Sequence, residues 1–106
     1  MRQVLIDKFV IPKNAIEEFI QRMTYNRGFI KNLPGFVQDA AYERTDENGN
    51  KIVVTIAVWQ DEDAIKRAKE AVQAEYTRIG FGLAEMLARL NITVERATYN
   101  EVVQGR

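Results

Sequence analysis

The sequence predicts one α+β domain in which strands and helices follow each other as β-α-β-β-α-β. Three observations carry that reading. Four strand-like segments are separated by stretches whose apolar residues recur at spacings of three and four. The run Asp46-Glu47-Asn48-Gly49 falls between the second and third strand segments and marks a tight hairpin. At 106 residues the chain suits one domain and is too short for two, so residues 1–106 are read as a single unit.

Residues 2–11 (RQVLIDKFVI) are rich in Val, Ile, Leu and Phe and form the first strand, which Pro12 ends. Beyond it Ile16, Phe19, Ile20, Met23, Ile30 and Leu33 share one helical face. Asn14 followed by Glu17 has the spacing of a capping box. Gly28 is a candidate kink or early end, and Leu33-Pro34-Gly35 stops the helix. Residues 36–45 form a more polar second strand. Residues 51–59 (KIVVTIAVW) are almost wholly apolar and β-branched, as a central strand requires.

Asp61, with Glu62 and Asp63 behind it, provides a capping side chain and acids at the positive end of the next helix. Ile65, Ala68, Val72, Tyr76 and Ile79 continue it as an apolar stripe. Gly80-Phe81-Gly82 breaks the stripe, and Leu83, Met86, Leu87 and Leu90 start a short helix in a new phase. Residues 91–100 form the fourth strand, and the tail beyond is expected to be loose. With right-handed crossovers this order is a ferredoxin-like split βαβ fold. Its helices lie on one face of an antiparallel sheet, and strands one and three are neighbours in the middle.

Fifteen basic and fifteen acidic residues leave no net charge, which argues against nucleic acid or an anionic membrane as partner. The chain has neither cysteine nor histidine, so disulfides, thiolate or imidazole zinc sites and histidine-ligated heme are all ruled out. No cofactor or metal is expected. No apolar run approaches the ~18 residues that span a bilayer. Without a signal-peptide pattern, the expected compartment is the cytoplasm.

The sheet itself predicts a partner. Val53, Thr55, Ala57 and Trp59 point to one face of the third strand, and Ile52, Val54, Ile56 and Val58 to the other. The first strand adds Leu5 and Phe9 to one side and Val4, Ile6 and Val10 to the opposite one. The helices can cover only one of these faces. Leaving Ile52, Val54, Ile56 and Val58 in water forgoes roughly 1.5–3 kcal/mol for each side chain. A symmetric dimer packed through the open sheet face is therefore expected, the alternative being a monomer whose short, polar C-terminal segment folds over that face.

Phe-Val-Ile-Pro at 9–12, Leu-Pro-Gly-Phe at 33–36, and Val-Trp with an acidic helix start at 58–63 follow in an order that spans about residues 2–98. In this the chain resembles the antibiotic biosynthesis monooxygenase family of dimeric α+β barrel proteins. The resemblance implies a cavity between sheet and helices, with Trp59 in the place of a tryptophan ending strand three. Asp7 stands where the family carries an asparagine on strand one. Lys69 falls near the histidine that holds iron in the heme-degrading branch. A protonated lysine is a poor iron ligand, so heme degradation is disfavoured.

The candidate catalytic residues are Asp7 and Trp59. Asp7 shares a face with Leu5 and Phe9. If that face meets the helices, its carboxylate stands in an apolar cavity as a general base towards a phenol or enol. The alternative is that it pairs with an Arg or Lys. Trp59 is either core or a stacking surface for a planar substrate. Tyr42, Thr55 and Gln38 join them as substrate-binding candidates if the hairpin opposes residue 44 to 53 and residue 42 to 55. Tyr76 and Met23, on the helix stripes, complete the set as core residues able to line the cavity. Asn26 and Arg27 either intrude there or face solvent.

The function expected is cofactor-independent oxidation by O₂ of a small aromatic of quinol, anthrone or phenol type. A non-catalytic module binding a small ligand on the same dimer is the alternative. A third reading is heme handling through Tyr76 or Lys69.

Overall fold

The computed structural model describes residues 1–103. Strand β1 (Gln3–Ile11) leads through a single 3-10 turn at Lys13–Ala15 into helix α1 (Ile16–Ile30). Strands β2 (Phe36–Thr45) and β3 (Lys51–Trp59) form the hairpin. Helix α2 (Glu62–Ile79), the short helix α3 (Leu83–Arg89) and strand β4 (Thr93–Asn100) complete the chain. The sheet order is β2-β3-β1-β4, with every neighbouring pair antiparallel. This is the expected ferredoxin-like α+β fold, with β1 and β3 in the middle. The expected loose tail lies partly outside the described residues; residues 101–103 have no regular structure.

Local chemistry accounts for most boundaries. Asp61 caps α2 by accepting the Ala64 N–H at 2.8 Å. Gly80, at φ 71°, ends the helix in the left-handed conformation. Two expectations fail. Asn14 makes no cap, because the chain after Pro12 tightens into the 3-10 turn, with the Ala15 N–H donating to the Pro12 carbonyl. Gly28 neither ends nor interrupts α1, whose tertiary packing carries it on to the buried Ile30.

The hairpin register also differs from expectation. Arg44 stands opposite Ile52 and Tyr42 opposite Val54, one residue away from the pairing expected of a two-residue Asn48-Gly49 turn. That turn needs positive φ at both residues, and here only Gly49 has it, at 83°. The Asp46 carboxylate accepts the N–H groups of Asn48 and Asn50 instead, holding a longer loop. An irregularity between Phe36 and Gln38 then returns Phe36 to a position opposite Trp59.

Two apolar clusters join the helices to one sheet face. One gathers Phe9, Ile11, Phe19, Val53 and Met86, with the Phe9 and Phe19 rings 4.7 Å apart. The other gathers Ile30, Trp59, Ala64, Ile65 and Ala68. Neither cluster takes a residue from the opposite face, which carries Val4, Ile6 and Val10 of β1 beside Ile52, Val54, Ile56 and Val58 of β3. No helix among the described residues is long and apolar enough to cross a membrane.

The second cluster depends on a close backbone approach. A Cβ on Gly35 (φ 83°) would lie 2.4 Å from the Ala64 Cβ, where the Gly35 carbonyl accepts the Gln60 N–H at 2.8 Å. Gly35→Ala is therefore expected to lower unfolding free energy by roughly 2 kcal/mol or more. Gly28→Ala, in open space within a helix, should raise it by roughly 0.5–1 kcal/mol. Urea denaturation of both variants checks the pair, and a neutral Gly35→Ala would remove the close-approach argument.

Candidate active site

A cavity of about 340 Å³ lies where the two apolar clusters meet, between the covered sheet face and the helices. Leu5, Asp7 and Phe9 from β1 and Thr55, Ala57 and Trp59 from β3 contribute to its floor by strand alternation. Met23 and Asn26 of α1 and Val72 and Tyr76 of α2 form part of its walls. Five expected site residues thus meet at one cavity: Asp7, Trp59, Thr55, Tyr76 and Met23. Gln38 and Tyr42 do not. With the observed register they stand opposite Val58 and Val54 on the open face, where Tyr42 is 63% exposed. Placing them in the pocket rested on the two-residue turn and is corrected by the loop that replaces it.

Asp7 is buried, at 6% exposure, on the face expected from alternation. It is not a lone carboxylate. Arg96 of β4 stands directly opposite it and donates Nε to Oδ1 at 2.7 Å and Nη2 to Oδ2 at 2.8 Å. This bidentate pair realises the alternative of an Arg partner and corrects the picture of a carboxylate caged by apolar atoms alone. The hydrogen bonds to Asp7 raise the Arg96 guanidinium above its ordinary range, against the opposing effect of burial.

A second pair closes the far side. Arg27 of α1 donates Nε to Asp39 Oδ2 at 2.6 Å, with the Asp39 side chain nearly enclosed. Asp39 faces the helices because it stands opposite Ala57, a consequence of the corrected register. Sequence reading missed both Asp39 and Arg96. Alternation within β2 and β4 was the available signal, but only the register told which alternate faces inward.

Three further groups shape the cavity. Trp59 is 3% exposed and meets the Phe36 ring edge-on at 5.6 Å, so it serves as core and cavity floor together. Burial pushes the Tyr76 phenol up, against weaker opposing effects of Arg96 and Arg22. The phenol is then a neutral hydroxyl at physiological pH and ill suited to bind iron as phenolate. Asn26 and Arg27 both turn inward, and the buried Asn26 Oδ1 has no hydrogen-bond partner among the described residues. An unpaired buried carbonyl of this kind costs about 1–3 kcal/mol until a donor reaches it. No cluster of acids suited to a metal ion occurs among the described residues.

No family model and no curated protein matches the chain. Solved structures do. SnoaB, a cofactor-independent oxygenase from Streptomyces nogalater, is similar over 98% of this chain and 96% of its own, with TM-score 0.71 and 26% identity. The structural neighbours include proteins named as presumptive antibiotic biosynthesis monooxygenases from Bacillus cereus and Nitrosomonas europaea, at 18% and 12% identity. A presumptive monooxygenase from Shewanella loihica PV-4 matches over 97% of this chain and 96% of that one, at TM-score 0.69 and 21% identity. A dimeric ferredoxin-like protein from an uncultured marine organism matches over 96% and 98%, at TM-score 0.66 and 11% identity. At such identities all but SnoaB speak for the fold alone.

The Asp7–Arg96 pair gives a direct stability test. Arg96→Leu strands a buried carboxylate and is expected to cost about 2 kcal/mol, moderated because Arg96 is 47% exposed at its side chain. Replacing both residues by leucine should recover most of that loss. Urea unfolding of the single and double variants decides it, and equal losses would mean that the stranded charge is not the cause.

Proposed function

We propose that this protein is a cofactor-independent monooxygenase that oxidises a small aromatic of quinol, anthrone or phenol type with O₂. The observation that carries the reading is the apolar cavity, floored by Trp59 and holding Asp7 and Arg96, in a chain similar to SnoaB over nearly its whole length. A planar ring would stack on apolar walls while its hydroxyl groups reach polar atoms, among them the unpaired Asn26 oxygen.

Asp7 takes the proton in this reading. Its bidentate partner leaves further lone pairs on the two oxygens. At a ring carbon bearing two hydrogens, as in an anthrone, proton loss to Asp7 leaves an enolate. One electron passes from the enolate to O₂, giving a substrate radical and superoxide. Their recombination forms a C–O bond, and the peroxide regains the proton from Asp7. Loss of water then leaves a carbonyl, so one substrate and one O₂ give one quinone and one water. The Arg96 guanidinium lies beside the developing anions and favours them. Trp59 orients the ring.

Oxygen uptake against a panel of anthrones and quinols tests this. Asp7→Asn should lower kcat by roughly 10²-fold, the lower range for a positioned acid-base group. Trp59→Phe should raise KM more than it lowers kcat. Absence of uptake by the wild type, or equal rates in both variants, defeats the reading. The ion pair at Asp7 favours a second reading, a non-catalytic binding module. Ligand-induced thermal stabilisation without oxygen consumption would support that one.

The reading includes a homodimer packed through the open sheet face, in keeping with the dimeric ferredoxin-like neighbour. Sedimentation is expected to give twice the 12.2 kDa chain mass. Ile56→Lys, at the centre of that face, should shift the protein to the single-chain mass. A wild-type monomer at micromolar concentration would contradict the dimer.

A further inference from the structure

The charges around the cavity do not balance, although those of the whole chain do. Its lining contains two carboxylates, Asp7 and Asp39, each engaged by its own arginine. Two more cations line it, Arg22 of α1 and Lys69 of α2. Neither forms an ion pair among the described residues. Glu18, the acid that senses Arg22, is itself engaged by Arg89. With two acids against four bases, the lining carries a surplus of two positive charges in a chain of zero net charge.

One of the two unpaired cations, Arg22, is held in place. The Arg22 guanidinium carbon sits 4.2 Å from the centre of the Phe81 ring, and that ring meets Tyr76 edge-on at 4.9 Å. Stacking of this kind fixes the cation against the cavity wall rather than leaving it free to swing into water. Arg22 and Lys69 are both exposed, so they belong to the solvent side of the cavity, while the carboxylates of Asp7 and Asp39 and the Trp59 ring lie deeper. An apolar interior with a cationic rim suits a molecule that is apolar at one end and anionic at the other.

We propose that the aromatic substrate carries a carboxylate, and that Arg22 and Lys69 receive it at the rim while the ring enters the cavity. This rests on the reading of the cavity as an aromatic site and names the substrate class. Every acid lining the cavity already has an arginine, so no free carboxylate opposes the anion. The two cations act by attraction and orientation, turning the far end of the ring inward towards Asp7 and Trp59. They touch the substrate without taking part in its proton or electron transfer.

Trp59 is the one tryptophan of the chain, so quenching of its fluorescence reports occupancy without turnover. The experiment titrates the protein, without oxygen, with naphthohydroquinone and with its ring-carboxylated counterpart. Both titrations are made at low and high salt, on the wild type and on the double variant Arg22→Gln, Lys69→Gln. The carboxylated compound should bind the wild type roughly 3- to 10-fold more tightly at low salt, the size that two rim charges allow. High salt and the double variant should each bring the ratio close to one. Both replaced residues are exposed, and the salt comparison on the wild type needs no variant at all. Equal binding of the two compounds to the wild type, or a preference that survives in the double variant, overturns the carboxylate proposal and leaves the aromatic site standing. Quenching by neither compound overturns both.

Discussion

A sheet that is apolar on two sides sets the terms for everything else in this molecule. β1 and β3 run through its middle and present aliphatic side chains both upward and downward, while the helices reach only one side. On that side, packing produces two apolar clusters instead of one continuous layer, and the space between them is the cavity. On the other, Val54, Ile56 and Val58 stay only half-buried. The same strands therefore line an apolar cavity on the covered side and leave an apolar surface on the other.

The polar groups inside the cavity are arranged in pairs that span different elements. Asp7–Arg96 ties β1 to the edge strand β4, and Asp39–Arg27 ties the opposite edge strand to α1. β4 is exposed along its whole length, so a bidentate pair reaching into the cavity is one of its few inward anchors. These pairs place charge next to an apolar floor without leaving a buried ion alone, which would be strongly destabilising. Asn26 is the exception, with a buried side-chain oxygen that has no hydrogen-bond partner among the described residues. That makes it a natural contact for a ligand.

Much of the fold could be read before the structure. The helix start at Asp61, the break at Gly80 and the central place of Lys51–Trp59 all follow from local chemistry and recur in the three-dimensional arrangement. The hairpin could be located but not measured. Asn-Gly suggests a two-residue turn, yet the Asp46 carboxylate captures two backbone N–H groups and lengthens the loop. That one-residue difference moves Gln38 and Tyr42 out of the cavity and brings Asp39 in. Asn14 fails for a similar reason, since the competing turn after Pro12 is a matter of backbone geometry rather than residue type.

The sequence alone determined the order of the elements, the two-sided apolarity of the sheet, and the face on which Asp7 and Trp59 stand. Each follows from periodicity along a single strand or helix, which the backbone imposes without reference to other segments. Which residue faces which was decided only in three dimensions. Arg96 meets Asp7 across 89 positions of chain, and Arg27 meets Asp39 between a helix and a strand. Such partnerships depend on strand register and helix placement, and these are set by turn geometry and packing together.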